Sequence, residues 1–144
     1  MISEPETVHV PALMVVESYA TVHQLVTTVK GKLRRNLSAV DAVMRCFPPG
    51  SMTGAPKLRT IKIIEELEKI PRGVYSGTLG FFSVTGQADF SVVIRTCLFS
   101  NGSVSVGAGG AIINQSDPIA EFDEMLLKAN SVVPSLEATF NITL

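Results

Sequence analysis

ADFSVVIRTCLFSNGSVSVGAGGAII, residues 88–113, holds two runs rich in β-branched residues with Asn101-Gly102 between them. Asn-Gly is the strongest short hairpin signal, because both residues accept positive φ at little cost. Ala88–Ser100 and Ser103–Ile113 therefore read as antiparallel strands. A third run, Val74–Val84, precedes them across Thr85-Gly86, so a three-stranded meander is expected. Working outward, Pro56 sits near the first turn of a helix running to about Ile70. Leu58, Ile61 and Ile64 form its buried stripe and Pro71 its stop. Gly50–Gly54 reads as a loop. Ser38 and Asp41 have the spacing of a capping box, opening a short helix that stops at Phe47-Pro48-Pro49. Val8–Val16 and Leu25–Leu33 are apolar enough for two more strands. An antiparallel meander with flanking helices places the chain in the α+β class.

Downstream, Asp117-Pro118 reads as an N-cap and first helical residue. On the helix that follows, Glu121, Glu124 and Lys128 fall within about 60° of arc on one face. Ile119, Phe122, Leu126 and Ala129 gather on another face and are expected to be buried. Two carboxylates one turn apart can share a divalent cation, since hard ions such as Mg²⁺ prefer oxygen ligands. The plainer reading is a solvated face whose Glu124–Lys128 pair adds a few tenths of a kcal/mol.

At 144 residues the chain fits one domain of ordinary size. A net charge of −1 leaves no electrostatic footprint for nucleic acid. Hydrophobic residues make up 46% and charged residues 17%, apolar enough to expect a surface that meets a partner. No apolar run approaches the ~20 residues of a membrane span, and MISEPETVHV lacks the layout of a signal peptide. A cytoplasmic protein is the expectation, with Cys46 and Cys97 as reduced core thiols. On that view the sequons at Asn36, Asn101, Asn114 and Asn141 carry no weight.

Two glycine motifs fail on inspection. Gly50-Ser-Met-Thr-Gly54-Ala-Pro-Lys57 has one residue too few for a P-loop, and Leu58 stands where Ser or Thr is required. Gly107-Ala-Gly109-Gly110-Ala111 has Ile112 at the third glycine position of a dinucleotide fingerprint and no helix directly after it. What survives is a loop feeding a helix N-terminus suited to an anion, and a glycine-rich strand that a ligand can approach closely. Arg95 interrupts an apolar strand, where alternation sets it on one face with Ser91, Val93 and Cys97. It is either a surface charge or a guanidinium set to take a carboxylate in bidentate fashion. His23 reads as a half-buried histidine without a catalytic partner.

FPPGSMTGAPK, RGVYSGTLGFFS, ADFSVVIRT, AGGAI and SDPIAEFDEMLLKA, in this order, resemble the C-terminal half of the chorismate-binding enzymes. That family includes anthranilate synthase component I, aminodeoxychorismate synthase component I, and the isochorismate and salicylate synthases. VHQLVTTVKGKL and GSMTGAPKLR are most similar to the branch that uses ammonia from a glutamine amidotransferase to make 4-amino-4-deoxychorismate, the para-aminobenzoate and folate precursor. The anthranilate-forming branch is the alternative, and a non-catalytic chorismate-binding or interaction remnant is another. The resemblance implies a two-sheet fold with helices outside. It also implies that Glu121 and Glu124 hold Mg²⁺ and that Lys128 lies near the ring carboxylate. Arg95, Tyr75 and the backbone around Ala108 and Gly109 would bind the enolpyruvyl carboxylate. Ser51 stands at the family's Ser/Thr loop position, and Gln24 where most members carry the histidine near the C4 hydroxyl. His23, one place earlier, points to the opposite strand face. Ala111 replaces the third glycine of the family's AGGGI.

The resemblance further implies that a second acidic pair and a PIKGT- or PIAGT-type motif belong to the other half of the domain. The chain is therefore expected to be an incomplete catalytic domain, inactive by itself, that forms a homo-oligomer or meets a complementing N-terminal half.

Overall fold

The computed structural model describes residues 2–20 and 22–141. The chain divides into two compact units, Met1–Cys46 and Phe47–Leu144. Thr143, the hydroxyl residue of the last sequon, lies outside the described residues.

In the first unit, β1 (His9–Ser18) pairs antiparallel with β2 (His23–Lys30), in the register Val15↔Val26, Val16↔Leu25 and Glu17↔Gln24. The register shifts twice between His9 and Val15, where Met14 takes a φ of 47° and its N–H donates to Thr27 Oγ1 at 3.0 Å. These strands lie within a residue or two of the expected ones at their starts, and an isolated bridge from Ser3 to Leu33 carries pairing past Lys30. α1 (Ala39–Cys46) opens with the expected capping box. The Ser38 N–H donates to Asp41 Oδ2 at 2.8 Å, and the Asp41 N–H donates back to Ser38 Oγ at 3.2 Å. The Ser38 hydroxyl, donating to the same Oδ2 at 2.6 Å, and then the Ser38 N–H hold the Asp41 carboxyl below its ordinary pKa.

In the second unit, the stretch expected as a loop contains one helical turn, α2 (Gly50–Thr53). The Gly54 N–H closes it onto the Gly50 carbonyl at 2.7 Å, and Thr53 Oγ1 donates to the Pro49 carbonyl at 3.2 Å. Gly54 leaves at φ +99°, a conformation that favours glycine. α3 (Lys57–Leu67) follows and stops three residues short of Ile70. Glu68 turns to an extended conformation while its N–H still bonds the Ile64 carbonyl at 2.8 Å, and Lys69 Nζ takes up the Glu66 carbonyl at 2.9 Å.

The strands are antiparallel, as expected, but Ala88–Ser100 is divided in two and Val74–Val84 and Ser103–Ile113 are shortened. β3 (Thr78–Phe82) pairs with β4 (Ala88–Val92), and β5 (Cys97–Ser100) pairs with β6 (Ser103–Val106). Asn101 (φ 51°) and Gly102 (φ 77°) make the tight turn that their dipeptide signalled. The break between β4 and β5 has a local cause. Val93 bonds through both backbone groups to the turn at Ser76 and Gly77 (3.0 and 2.9 Å), the Ile94 N–H folds back on the Val92 carbonyl, and Arg95 adopts a φ of 48°. α4 (Pro118–Asn130) begins as expected, with Asp117 Oδ1 accepting from the N–H groups of Ile119 and Ala120 at 3.1 and 2.9 Å. α5 (Val133–Phe140), unforeseen in the sequence, ends on Asn141 in the left-handed region, and its Phe140 lies 5.5 Å from Phe99 of β5.

Among the described residues only Ser76 and Val132 are buried. Leu13, Val16, Leu25, Leu79, Phe81, Ile119, Phe122 and Leu126 are all exposed, so the apolar stripe expected to bury on α4 is open. Cys46 is exposed and Cys97 half-buried, so neither is the core thiol expected. No helix among the described residues is long and apolar enough to cross a membrane. The class is α+β.

Candidate functional site

Three glycine-linked contacts in the second unit set its geometry. The Tyr75 ring lies directly over Gly107, where a side chain of any size would overlap its Cβ and ring carbons. Its hydroxyl stands 3.1 Å from where a Cβ of Gly109 would sit. At Gly110 the same position is 2.8 Å from Glu121 Oε2. Tyr75 and Glu121 thus flank one run, 107–110, and each occupies space that a side chain there would take. Ala108 lies half-buried between Gly107 and Gly109.

The two carboxylates of α4 have different surroundings. Glu121 Oε1 accepts from Ser116 Oγ at 2.6 Å, while Oε2 is buried without a hydrogen-bond partner. A buried carboxylate oxygen left unpaired is costly, and its neighbourhood suits a cation or an N–H donor. Glu124 is exposed and bound to Lys128 Nζ at 2.6 Å, the i, i+4 pair anticipated as the plainer reading. Among the described residues, no three His, Cys, Asp or Glu side chains cluster as a metal site.

Arg95 stands in the bend between β4 and β5, exposed and without a salt bridge among the described residues. The strand face it was expected to share with Ser91, Val93 and Cys97 does not exist, because the backbone turns at Ile94 and Arg95. Ser51 is exposed on α2. Gln24 belongs to the first unit, exposed on β2, and the neighbouring His23 bonds Ser18 Oγ through Nδ1 at 2.9 Å.

Arg72 was not singled out from the sequence. Its guanidinium makes a two-pronged contact with Glu68, Nε to Oε2 at 2.7 Å and Nη2 to Oε1 at 2.5 Å. Its Nη1 reaches the Met52 carbonyl at 2.8 Å and Ser76 Oγ at 3.2 Å. Hydrogen bonding to Glu68 raises the Arg72 pKa and lowers that of Glu68. Arg72, Thr53, Ile61, Tyr75 and Ser76 are among the residues lining a cleft of about 210 Å³. The i, i+4 spacing of Glu68 and Arg72 was a visible signal, but Pro71 between them argued against a helix and so against the pair.

Comparison with known proteins gives the family of the chain. Residues 1–134 match the chorismate binding enzyme family, and the chain belongs to that family. It is 54% identical to a probable chloroplastic aminodeoxychorismate synthase of Oryza sativa subsp. japonica, over 94% of this chain and 15% of that one. It is 55% identical to the aminodeoxychorismate synthase of Streptomyces pristinaespiralis, over 90% of this chain and 18% of that one. Anthranilate synthase component 1 of Streptomyces coelicolor is 44% identical over 94% of this chain and 26% of its own length. The crystal structure of anthranilate synthase component I from Streptococcus pneumoniae superposes with a TM-score of 0.83 at 41% identity, covering 90% of this chain and 30% of that one. The chain thus spans less than a third of each of these relatives.

Proposed function

We propose that this chain supplies part of a chorismate site in an enzyme that aminates chorismate to 4-amino-4-deoxychorismate, toward para-aminobenzoate. The observation that carries the reading is the packing of Tyr75 and Glu121 on either end of the 107–110 run. A phenol and backbone N–H groups on one side, and an under-bonded carboxylate on the other, are the donors and cation seat that a dianionic substrate requires. The higher identity to aminodeoxychorismate synthases than to anthranilate synthase component 1 supports amination at the 4-position as the branch.

Mg²⁺ fits this donor set at Glu121, whose buried Oε2 lacks a partner. Glu124 would join it by exchanging Lys128, leaving that ammonium for the ring carboxylate. Bound there, the ion would stabilise the charge that develops as the hydroxyl departs. Tyr75 and Arg95 would bind the enolpyruvyl carboxylate, with the N–H groups near Ala108 and Gly109 completing its seat. The exposed strand faces support a second element of the reading: another chain segment or a second copy covers them before catalysis begins.

The test grafts this chain in place of the matching segment of the Streptomyces pristinaespiralis enzyme and supplies chorismate, ammonia and Mg²⁺. 4-Amino-4-deoxychorismate is the expected product, abolished by E121A. Anthranilate as product would replace the branch, and an inactive graft that folds and binds no chorismate would remove the reading.

A further inference from the structure

We infer that Arg72 is a positioning residue that fixes the Tyr75 side chain against Gly107 and ties it to the α2 turn carrying Ser51; the inference rests on the proposed chorismate site. One guanidinium joins three stretches of the second unit: Glu68 just past α3, the Met52 carbonyl in α2, and Ser76 beside Tyr75. Four of its five N–H groups are engaged by these contacts. Ser76 is 6% exposed and holds a φ of 67°, unfavourable for a residue with a Cβ. Its N–H bonds the Val93 carbonyl at 3.0 Å, and the Gly77 N–H bonds the Val74 carbonyl at 3.0 Å. The backbone next to Tyr75 is therefore held at Ser76 by both Val93 and Arg72, which limits the directions open to the neighbouring ring.

Lysine cannot replace such a clamp. An ammonium carries charge and three donors but no planar fork, so it can meet Glu68 or the Met52 carbonyl without holding both along with Ser76. Arg72 itself touches no substrate atom in this scheme; it acts through Tyr75 and the α2 turn.

The chain has no tryptophan and two tyrosines, Tyr19 and Tyr75, so a Y19F background makes Tyr75 the only strong near-ultraviolet reporter. In that background, near-ultraviolet circular dichroism and acrylamide quenching read Tyr75 order, and a chorismate titration with Mg²⁺ of the same variants in the grafted enzyme reads affinity. For R72K the expected result is collapse of the Tyr75 dichroism to that of free tyrosine, with far-ultraviolet dichroism unchanged. Affinity should fall by roughly tenfold or more, the scale of a misplaced binding group. E68Q, which keeps one acceptor oxygen, should give an intermediate loss of both signals, and it carries the test if R72K fails to fold. Tyr75 signals in the folded variants equal to those of Y19F, or no ordered Tyr75 signal in Y19F itself, would overturn the inference. So would unaltered chorismate affinity in a variant whose Tyr75 has come loose. If no variant binds chorismate yet Tyr75 order follows Arg72, the clamp stands and the chorismate reading fails.

Discussion

The β1–β2 hairpin and the segment around Tyr75 are both built from sequence rich in β-branched residues, yet they are held in opposite ways. The hairpin carries a long backbone ladder that survives two register shifts, but Leu13, Val15, Val16, Leu25 and Val29 are left open to solvent. Around Tyr75 the ladder is interrupted and the order comes from side chains: Arg72 on three partners, a ring over Gly107, a carboxylate against Gly110. Backbone pairing fixes shape without fixing what lies on either face. Specific polar and steric contacts fix individual side chains even where little apolar surface is buried. The Tyr75 and Glu121 side chains of the second unit are set locally, whereas the strand faces of the hairpin are left open.

The largest expected effect would erase this contrast. Valine at position 107 would drive a branched side chain into the root of the Tyr75 ring, which cannot swing aside as a long flexible chain would. G107V should cost about 1–3 kcal/mol, as overpacking does, and abolish the Tyr75 dichroism. In the hairpin, Leu25 is 65% exposed, so L25A should change stability by no more than about 0.5 kcal/mol. Denaturant melts of the two variants give the comparison directly. A loss of about 2–5 kcal/mol in L25A, the range of a core leucine, would mean that the hairpin is covered in solution.

How much of this the sequence carried depends on the range of the force involved. The Asn101-Gly102 turn, the Ser38–Asp41 box and the Asp117-Pro118 cap were legible because each is settled within four residues. The division of Ala88–Ser100 was not. Val92 and Ile94 promote a strand wherever they stand, and what ends it is Val93 bonding to a turn sixteen residues earlier. The same holds for the site. Glu121, Glu124 and Lys128 were placed together by helical spacing, but nothing in that spacing separates a carboxylate buried against Gly110 from one paired at the surface. Arg72 escaped because its partners are gathered by tertiary folding, and the expected apolar stripe of α4 failed because amphipathicity states a preference without supplying the surface to satisfy it.

Acid sharpens the contrast by a different route. Arg72 lowers the Glu68 pKa from its ordinary 4.5, and Ser38 lowers that of Asp41 from 3.8. Each carboxylate therefore contributes stability that is present above its unfolded value and lost as pH falls through the lower folded one. Near-ultraviolet dichroism of Tyr75 should fade as Glu68 protonates below its ordinary value of 4.5, and α1 helicity should fall as Asp41 protonates below 3.8. Fading of the Tyr75 signal above the ordinary glutamate value would show that Glu68 does not hold this turn.

The smallest effect concerns the two glutamates themselves. The Glu124–Lys128 bridge is 2.6 Å long, but Glu124 is half exposed and Lys128 about a third exposed, so water and salt compete with it. E124Q should cost only about 0.3–0.5 kcal/mol, a loss that disappears at high salt. E121Q changes a different balance: it removes a charge whose Oε2 has no partner, while Ser116 can still donate to the remaining carbonyl oxygen. Stability in E121Q should hold or rise at every salt concentration, because a neutral amide is easier to bury than an unpaired carboxylate. Thermal melts of both variants across a salt series make the check. A stability loss in E121Q that follows salt as E124Q does would place Glu121 among ordinary surface charges and dissolve the distinction between the two ends of the helix.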